Sequence, residues 1–153
     1  MISLSTIKKH LEEHLKFVSE KYNVGFNIYF LDLYVYGNES LIMSLLYNLA
    51  DNGFKASNPG QHIDIFAIPE EDWITFCVQD YGHGIAPEHM EHLTEEFYRE
   101  DKARSRKVGG AGLGLSICKE IANLHDTKIV FESRQGAGTK VSFNLRKAGE
   151  YNE

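Results

Sequence analysis

The chain has 153 residues, of which 42% are hydrophobic and 25% charged, and its formal net charge is −6. These values are ordinary for one soluble globular domain, and the acidic balance argues against nucleic acid as the main partner. No apolar run is long enough for a membrane span, and the charged N-terminal stretch is unlike a signal peptide. Cys77 and Cys118 lie far apart in apolar surroundings, which indicates buried free thiols in a reducing compartment.

The first half of the chain predicts two helices with two short strands between them. Apolar residues recur at helical spacing from Leu4 to Val18, and Ser3 or Ser5 is available as an N-cap. The sequence Asn-Pro-Gly at 58–60 stops the second helix. The predicted elements are a helix to about residue 22, strands at 24–30 and 33–36, and a helix from about 37 to 57.

The second half predicts two strand pairs and a further long helix. In the segment 73–79 the residues Ile74, Phe76 and Val78 alternate onto one face, and Asp80 is the next residue on that face. A glycine-rich turn precedes a helix that ends near His125. The predicted strands are 62–68, 73–79, 128–133 and 139–145, the last two forming a hairpin. A sheet covered by helices on one face is the simplest architecture for this pattern.

Three polar residues form a stripe on the second helix. Asn48, Asn52 and Lys55 are spaced i, i+4, i+7 along one edge of its apolar face. Amide oxygens can bind a hard cation, and an ammonium group can bind phosphate. The same spacing also fits ordinary polar residues on a helix surface, so both interpretations stay open here.

The sequence Asp-Tyr-Gly-His-Gly-Ile, residues 80–85, follows a predicted strand. A carboxylate is an acceptor only, and Asp80 at this point could accept a hydrogen bond from an exocyclic amine such as that of adenine. Asp and Gly are also common in turns that merely end a strand. The motif alone does not decide between the two.

Glycines at 109, 110, 112 and 114 stand directly before the last predicted helix. Glycine weakens a helix, but it lets backbone N–H groups approach an anion at a helix N-terminus. The basic stretch 99–107 before it suits a polyanionic ligand, a mobile lid or a plain solvated loop. No Lys-Ser/Thr pair follows the last glycine and no strand immediately precedes the turn, which excludes a Walker A loop and argues against a dinucleotide fingerprint.

Taken in chain order, these segments resemble the nucleotide-binding boxes of sensor histidine kinases in the GHKL ATPase superfamily. Residues 48–57 are similar to the N-box, 80–85 to the G1 box, 95–101 to the F-box, 109–117 to the G2 box and 136–143 to the last glycine motif. The resemblance covers almost the whole chain, from the first helix to the last strand. Ordered boxes are far more specific than any single glycine motif.

The resemblance implies an α/β two-layer sandwich with a mixed sheet of about five strands and three main helices on one face. It implies one catalytic domain over residues 1–147 and a tail at 148–153. The implied activity is binding of ATP with Mg²⁺ and transfer of the γ-phosphoryl group to a histidine on a dimerisation domain that this chain does not match. The implied partners are that domain and a downstream response regulator, without nucleic acid or direct membrane contact. The isolated domain is expected to be monomeric, cytoplasmic and inactive without its phosphoacceptor.

The resemblance also assigns roles to particular residues. Asn52 is expected to coordinate Mg²⁺, with Asn48 close by, and Lys55 and Arg99 are expected near the phosphates. The implied catalytic residues are Asn48, Lys55 and Arg99. Asp80 is expected to accept from the adenine amine, with Thr139 at the base side of the pocket. The other expected nucleotide-binding residues are Gly82, Gly84, Ile85, Gly110, Gly112, Leu113 and Gly114.

Position 48 separates this chain from related ATPases. Gyrase-type and mismatch-repair ATPases resemble the fold but carry a glutamate four residues before the metal-binding asparagine, where it activates water. Here that residue is Asn48, and a neutral amide is a poor proton acceptor. The sequence therefore favours a kinase over a hydrolase. A nucleotide-sensing module that regulates a protein partner without phosphoryl transfer is the alternative, and an anti-sigma-type serine kinase ranks last because such kinases keep the glutamate.

Overall fold

Three helices and seven strands make up the part of the chain that the structure, a computed structural model, describes: residues 1–85 and 111–149. In chain order they are β1 (Ile2–Ser3), α1 (Leu4–Tyr22), β2 (Gly25–Tyr29), β3 (Tyr34–Val35), α2 (Glu39–Ala56), β4 (His62–Pro69), β5 (Trp73–Asp80), α3 (Ala111–Leu124), β6 (Val130–Arg134) and β7 (Gly138–Ala148). The predicted elements within these ranges are confirmed to within a few residues. The basic stretch 99–107 lies outside the described residues.

The strands form one mixed sheet in the order β1-β3-β7-β5-β4-β2, and β6 pairs with β7. Every pairing is antiparallel except that of β2 with β4, which is parallel. The expected α/β sandwich is confirmed. Five longer strands match the expected number, and the two-residue strands β1 and β3 extend the sheet along the C-terminal end of β7.

The alternation of side chains gives the sheet a buried face and an open face. On β5, Ile74, Phe76 and Val78 are almost fully buried against the helices, and Asp80 continues the same row. The neighbouring strand β7 contributes Phe143, which stacks on Phe76 with 5.3 Å between the ring centroids. On the other face, Trp73 remains partly exposed, whereas Cys77 is buried. Side chains on the buried face at the C-terminal end of β5 therefore point towards the helical layer.

Helix α2 is central to the helical layer, because it packs against α1, α3 and the sheet. Asn38 caps its N-terminus, where its side-chain oxygen accepts from the Leu41 N–H at 3.0 Å. His125, just after α3, reinforces this cap, since its Nε2 accepts from the Asn38 N–H at 3.1 Å. Ser3 occupies the N-cap position of α1 without a side-chain capping bond, while Ser5 bonds to Asp32 instead. The N-terminus of α2 is thus tied to the residue that follows α3.

The packing confirms the burial of the two cysteines and shows how far the last strand extends. Cys77 and Cys118 are buried free thiols, as expected. β7 continues through Ala148, which is buried and pairs with Tyr34, so the sheet extends one residue beyond the predicted domain end at 147. Within residues 1–85 and 111–149, no helix is both long and apolar enough for a membrane span.

Candidate functional site

The carboxylate of Asp80 lies at the end of β5, on the side of the sheet that faces the helices. It is only 7% exposed and accepts hydrogen bonds from the backbone N–H groups of Gly82, at 3.0 Å, and Thr139. Burial raises the pKa of Asp80, although both N–H donors and the nearby His83 favour the charged form. The backbone donors are fixed by the fold, and they therefore fix the orientation of the buried Asp80 carboxylate.

The loop after Asp80 is wedged between α2 and the turn that joins β6 to β7. The His83 N–H donates to the Ala56 carbonyl at the end of α2, and the Gly136 N–H donates to the His83 carbonyl at 2.6 Å. A Cβ atom at Gly82 would collide with the Ala56 carbonyl. A Cβ atom at Gly84, where φ is +72°, would collide with the Arg134 backbone. Both glycines are therefore required by backbone packing, whether or not they also admit a ligand ring.

Ser133 on β6 joins this loop to the start of β7. Its Oγ accepts from the Ile85 N–H at 2.8 Å, donates to the Gly138 carbonyl at 3.0 Å and lies 2.8 Å from Thr139 Oγ1. Thr139 is 8% exposed and is the direct cross-strand neighbour of Asp80. Asp80, Ile85 and Thr139, which the sequence singled out, are thereby brought together.

The polar stripe on α2 approaches the first turns of α3. Asn48 Nδ2 donates to the Ser44 carbonyl at 2.8 Å, which leaves Oδ1 directed away from that bond. A Cβ atom at Gly114 would lie 3.5 Å from Asn48 Oδ1, an ordinary van der Waals contact. Asn52 is half-buried one turn further along α2. Asn48, the first residue of the stripe, therefore lies against the glycine-rich start of α3.

Lys55 has a partner within its own helix. Its Nζ lies 2.9 Å from Asp51 Oδ2 in an i, i+4 ion pair at the surface. Such a pair contributes little to stability, because both charges remain hydrated. The Lys55 ammonium group therefore lies near the C-terminal end of α2, and it can readily leave Asp51 to pair with another anion.

The remaining predicted site residues divide into two groups. Gly112 and Leu113 lie in the first turn of α3, beside Gly114. Gly110 and Arg99 lie outside the described residues. So do the segment similar to the F-box, 95–101, and the first two residues of the segment similar to the G2 box, 109–110. Within the described ranges, no group of three or more His, Cys, Asp or Glu side chains could hold a metal ion.

Residues 37–149 match the family of histidine kinase-, DNA gyrase B- and HSP90-like ATPases. This match covers most of the chain and includes every site element described above. The chain belongs to this ATPase family. It corresponds to the ATP-binding catalytic domain of sensor histidine kinases, since its relatives include sensor histidine kinases RppB and WalK.

Two curated relatives and one solved structure place the ATPase domain within its family. It is 40% identical over 114 residues to sensor histidine kinase RppB of Synechocystis and 38% identical over 136 residues to WalK of Bacillus subtilis, covering 74% and 88% of this chain. These matches cover 25% and 21% of the relatives, so the chain spans about a quarter of their length. The catalytic domain of histidine kinase ThkA superposes with a TM-score of 0.80 at 26% identity, over 95% of both chains.

Ser133 and Gly138 lie beside Thr139 and Asp80, and the sequence did not single out either residue. A Cβ atom at Gly138, where φ is +122°, would collide with the Asp80 carbonyl, so glycine is required where β7 crosses the end of β5. The sequence signal was the Gly-Ala-Gly-Thr run at 136–139, which predicts a hairpin turn and begins the segment similar to the last glycine motif. The role of Ser133 depends on the register between β6 and β7, which no local pattern encodes.

Proposed function

We propose that this domain binds Mg-ATP and transfers the γ-phosphoryl group to a histidine on a dimerisation domain outside this chain, with a response regulator as the next acceptor. The observation that carries the proposal is the orientation of Asn48. Its amide nitrogen is bonded to Ser44, and its oxygen faces the glycine-rich start of α3. An amide there can accept a hydrogen bond but cannot remove a proton from water.

The absence of a base at position 48 favours transfer over hydrolysis. Asn48 stands four residues before Asn52, where a hydrolase of this family would need a carboxylate to activate water. A histidine imidazole does not need such help, because its neutral ring nitrogen already carries a lone pair. The ATP bound here would therefore keep its γ-phosphoryl group until an imidazole reaches it.

The base and phosphate ends of ATP have separate supports in this arrangement. Asp80 would accept from the exocyclic amine of adenine, in a buried position where one hydrogen bond discriminates strongly. Lys55 would exchange its surface pair with Asp51 for a phosphate oxygen. Arg99 and the glycines from 110 to 114 are assigned to the phosphate side by the family resemblance.

The donor set fits Mg²⁺ better than a softer metal. Asn52 offers an amide oxygen, and Mg²⁺ prefers oxygen ligands, keeps several waters and binds through one or two protein groups plus substrate phosphates. We assign Asn52 as the protein ligand, with Asn48 beside it. Bound Mg²⁺ would neutralise charge on the phosphates.

Transfer itself is a matter of position and charge. The acceptor imidazole nitrogen forms a bond to the γ-phosphorus as the bond from that phosphorus to the ADP oxygen breaks, and ADP leaves with the electron pair. Such a transition state has little covalent chemistry for the protein to perform, so alignment and neutralisation dominate. Asn48 Oδ1 would accept from the ring N–H of the incoming imidazole and so orient its free nitrogen.

The test uses calorimetry and radiolabelled ATP. The native domain should bind ADP and a non-hydrolysable ATP analogue in the micromolar range, and Mg²⁺ should tighten binding of the analogue. Asn52→Ala should remove the Mg²⁺ effect, whereas Asn123→Ala, on the exposed side of α3, should leave it unchanged. Adding the histidine-bearing domain of the same kinase should yield acid-labile label on that domain.

The two parts of the test fail in different ways. A folded native domain that binds neither nucleotide contradicts the proposal as a whole. Tight binding without any label on the histidine-bearing domain contradicts the transfer step and favours a nucleotide-sensing module instead.

A further inference from the structure

Among the described residues, Ser133 Oγ has three polar neighbours, and their chemistry dictates where its proton goes. The Ile85 N–H, 2.8 Å away, can only donate, and the Gly138 carbonyl, 3.0 Å away, can only accept. The Ser133 O–H therefore points to Gly138, and one lone pair is taken by Ile85. The second lone pair faces Thr139 Oγ1 at 2.8 Å.

This arrangement leaves the Thr139 hydroxyl with one satisfactory orientation. A serine hydroxyl has one proton and two lone pairs, so Ser133 has no further proton to offer to Thr139. The Thr139 O–H must donate to Ser133 for the contact to be a hydrogen bond. The Thr139 oxygen then presents only lone pairs to any other group.

Thr139 and Asp80 are paired across β7 and β5 on the buried face of the sheet. Directly opposed residues have Cβ atoms about 4.5–5.5 Å apart, so both side chains border the same small region. Asp80 is a carboxylate whose partners are the backbone N–H groups of Gly82 and Thr139, so it too presents lone pairs. The end of β5 and the start of β7 thus offer two acceptors side by side.

We propose that Ser133 is a positioning residue for nucleotide specificity: it holds the Thr139 hydroxyl as an acceptor, so the site takes a 6-aminopurine and rejects a 6-oxopurine. This inference rests on the proposed function of the same site. An exocyclic amine supplies N–H donors, whereas the guanine O6 is an acceptor and would meet lone pairs. A Thr139 hydroxyl free to rotate could instead donate to O6, and the site would lose part of its discrimination.

The experiment compares binding of ADP and GDP by calorimetry to the native domain and to variants at Ser133. Native protein should prefer ADP. Ser133→Ala should reduce the ratio of ADP affinity to GDP affinity by about tenfold, the equivalent of one ordinary hydrogen bond. Ser133→Thr keeps a hydroxyl and should restore the native ratio. Ser142→Ala, on the open face of β7, is the matched control and should behave as native.

A second route keeps the inference testable if Ser133→Ala does not fold. Ser133→Cys has a similar volume but a weak donor and a weak acceptor, and it should shift the ratio in the same direction. In a Thr139→Val background, which has no hydroxyl to turn, a Ser133 substitution should change the ratio no further.

The outcomes separate the two proposals. A folded Ser133→Ala or Ser133→Cys variant with the native ADP to GDP ratio overturns the role of Ser133 and leaves nucleotide binding intact. A native domain that binds neither ADP nor GDP overturns the proposed function and the inference with it.

Discussion

Asp80 and Asp64 lie on neighbouring strands but on opposite faces of the sheet, and their surroundings differ in kind. Asp80 is buried against the helices and is held by backbone N–H groups. Asp64, on the open face, is held by side chains: Tyr81 donates at 2.6 Å and Asn27 at 3.1 Å, with His62 Nε2 at 3.5 Å. Tyr81 directly follows Asp80 in the chain, so two consecutive residues place their side chains on opposite faces of the sheet.

The pKa shifts of the two carboxyl groups have opposite signs for this reason. Burial raises the pKa of Asp80, and its two backbone donors do not fully compensate. Burial also acts to raise the pKa of Asp64, but the hydrogen bonds from Tyr81 and Asn27 and the charge of His62 outweigh it, so the pKa is lowered. The hydrogen bond to Asp64 raises the pKa of Tyr81 to about 12. Among the residues that the structure describes, backbone N–H groups alone donate to Asp80, and such a buried acceptor is suited to a ligand, whereas Asp64 already has side-chain donors.

The largest expected effect concerns a glycine that lies against the end of β5. Gly138→Ala would force a Cβ atom against the Asp80 backbone at a φ of +122°, and we expect a loss of about 3 kcal/mol or more in the free energy of unfolding. Gly136→Ala, at a φ of +85° but with no atom within 4 Å, should cost about 1 kcal/mol. Gly25→Ala, facing His62 on the open side at 3.6 Å, should cost nothing measurable.

Urea unfolding of the three glycine variants measures this directly. Coincident unfolding curves for Gly138→Ala and Gly136→Ala would contradict the close approach of β7 to the end of β5.

A smaller effect is expected from removing the hydroxyl group on the open face. Tyr81→Phe deletes the hydrogen bond to Asp64, and we expect a loss of about 0.5–1 kcal/mol, because the pair is partly solvated. Affinity for ADP should stay within about twofold of native, since Asp80 keeps its backbone donors. Tyr29→Phe, at a 60% exposed position on the same face, is the matched control.

Chemical denaturation and ADP titration of the same Tyr81→Phe preparation decide the point. A large loss of ADP affinity with unchanged stability would mean that the open face controls the site, contrary to the comparison.

The smallest expected effects are the pH dependences of stability, which should differ in sign. The folded-state pKa of Asp64 is depressed, so its stabilising contribution is present above the unfolded value of about 3.9 and is lost as pH falls through the folded value. The folded-state pKa of Asp80 is raised, so stability falls as pH rises from about 3.9 through the folded value.

Unfolding free energies measured between pH 3 and pH 6 test these signs. Asp64→Asn should reduce the loss of unfolding free energy as pH falls. Asp80→Asn should remove the decrease of unfolding free energy as pH rises. Slopes that change in the same direction in both variants would show that the two carboxyl groups do not differ as described.

Much of this molecule was predictable because its elements have strong local patterns. The alternation Ile74, Phe76, Val78 predicted β5 and correctly placed Asp80 on its buried face. Helix α2 was predicted from its apolar face and from the Asn-Pro-Gly stop after it. The resemblance to histidine kinases named the family that the comparison with known proteins then showed.

The features that escaped prediction all depend on contacts between distant parts of the chain. β1 has two residues, too few to show a period of two, and exists only because β3 lies beside it. The parallel pairing of β2 with β4 is a matter of topology. Ser133 and the pair of Asp64 with Tyr81 acquire their partners through sheet register, which local sequence does not reveal.

The most direct test of the account is ADP binding, by calorimetry, to Asp80→Asn and Asp64→Asn beside the native domain. The account predicts that Asp80→Asn weakens binding by about tenfold to a hundredfold, because a buried charged acceptor is lost from the base site. It predicts that Asp64→Asn stays within about twofold of native, because that carboxylate acts on the open face. Equal losses in the two folded variants would contradict the assignment of Asp80 as the carboxylate that receives the nucleotide.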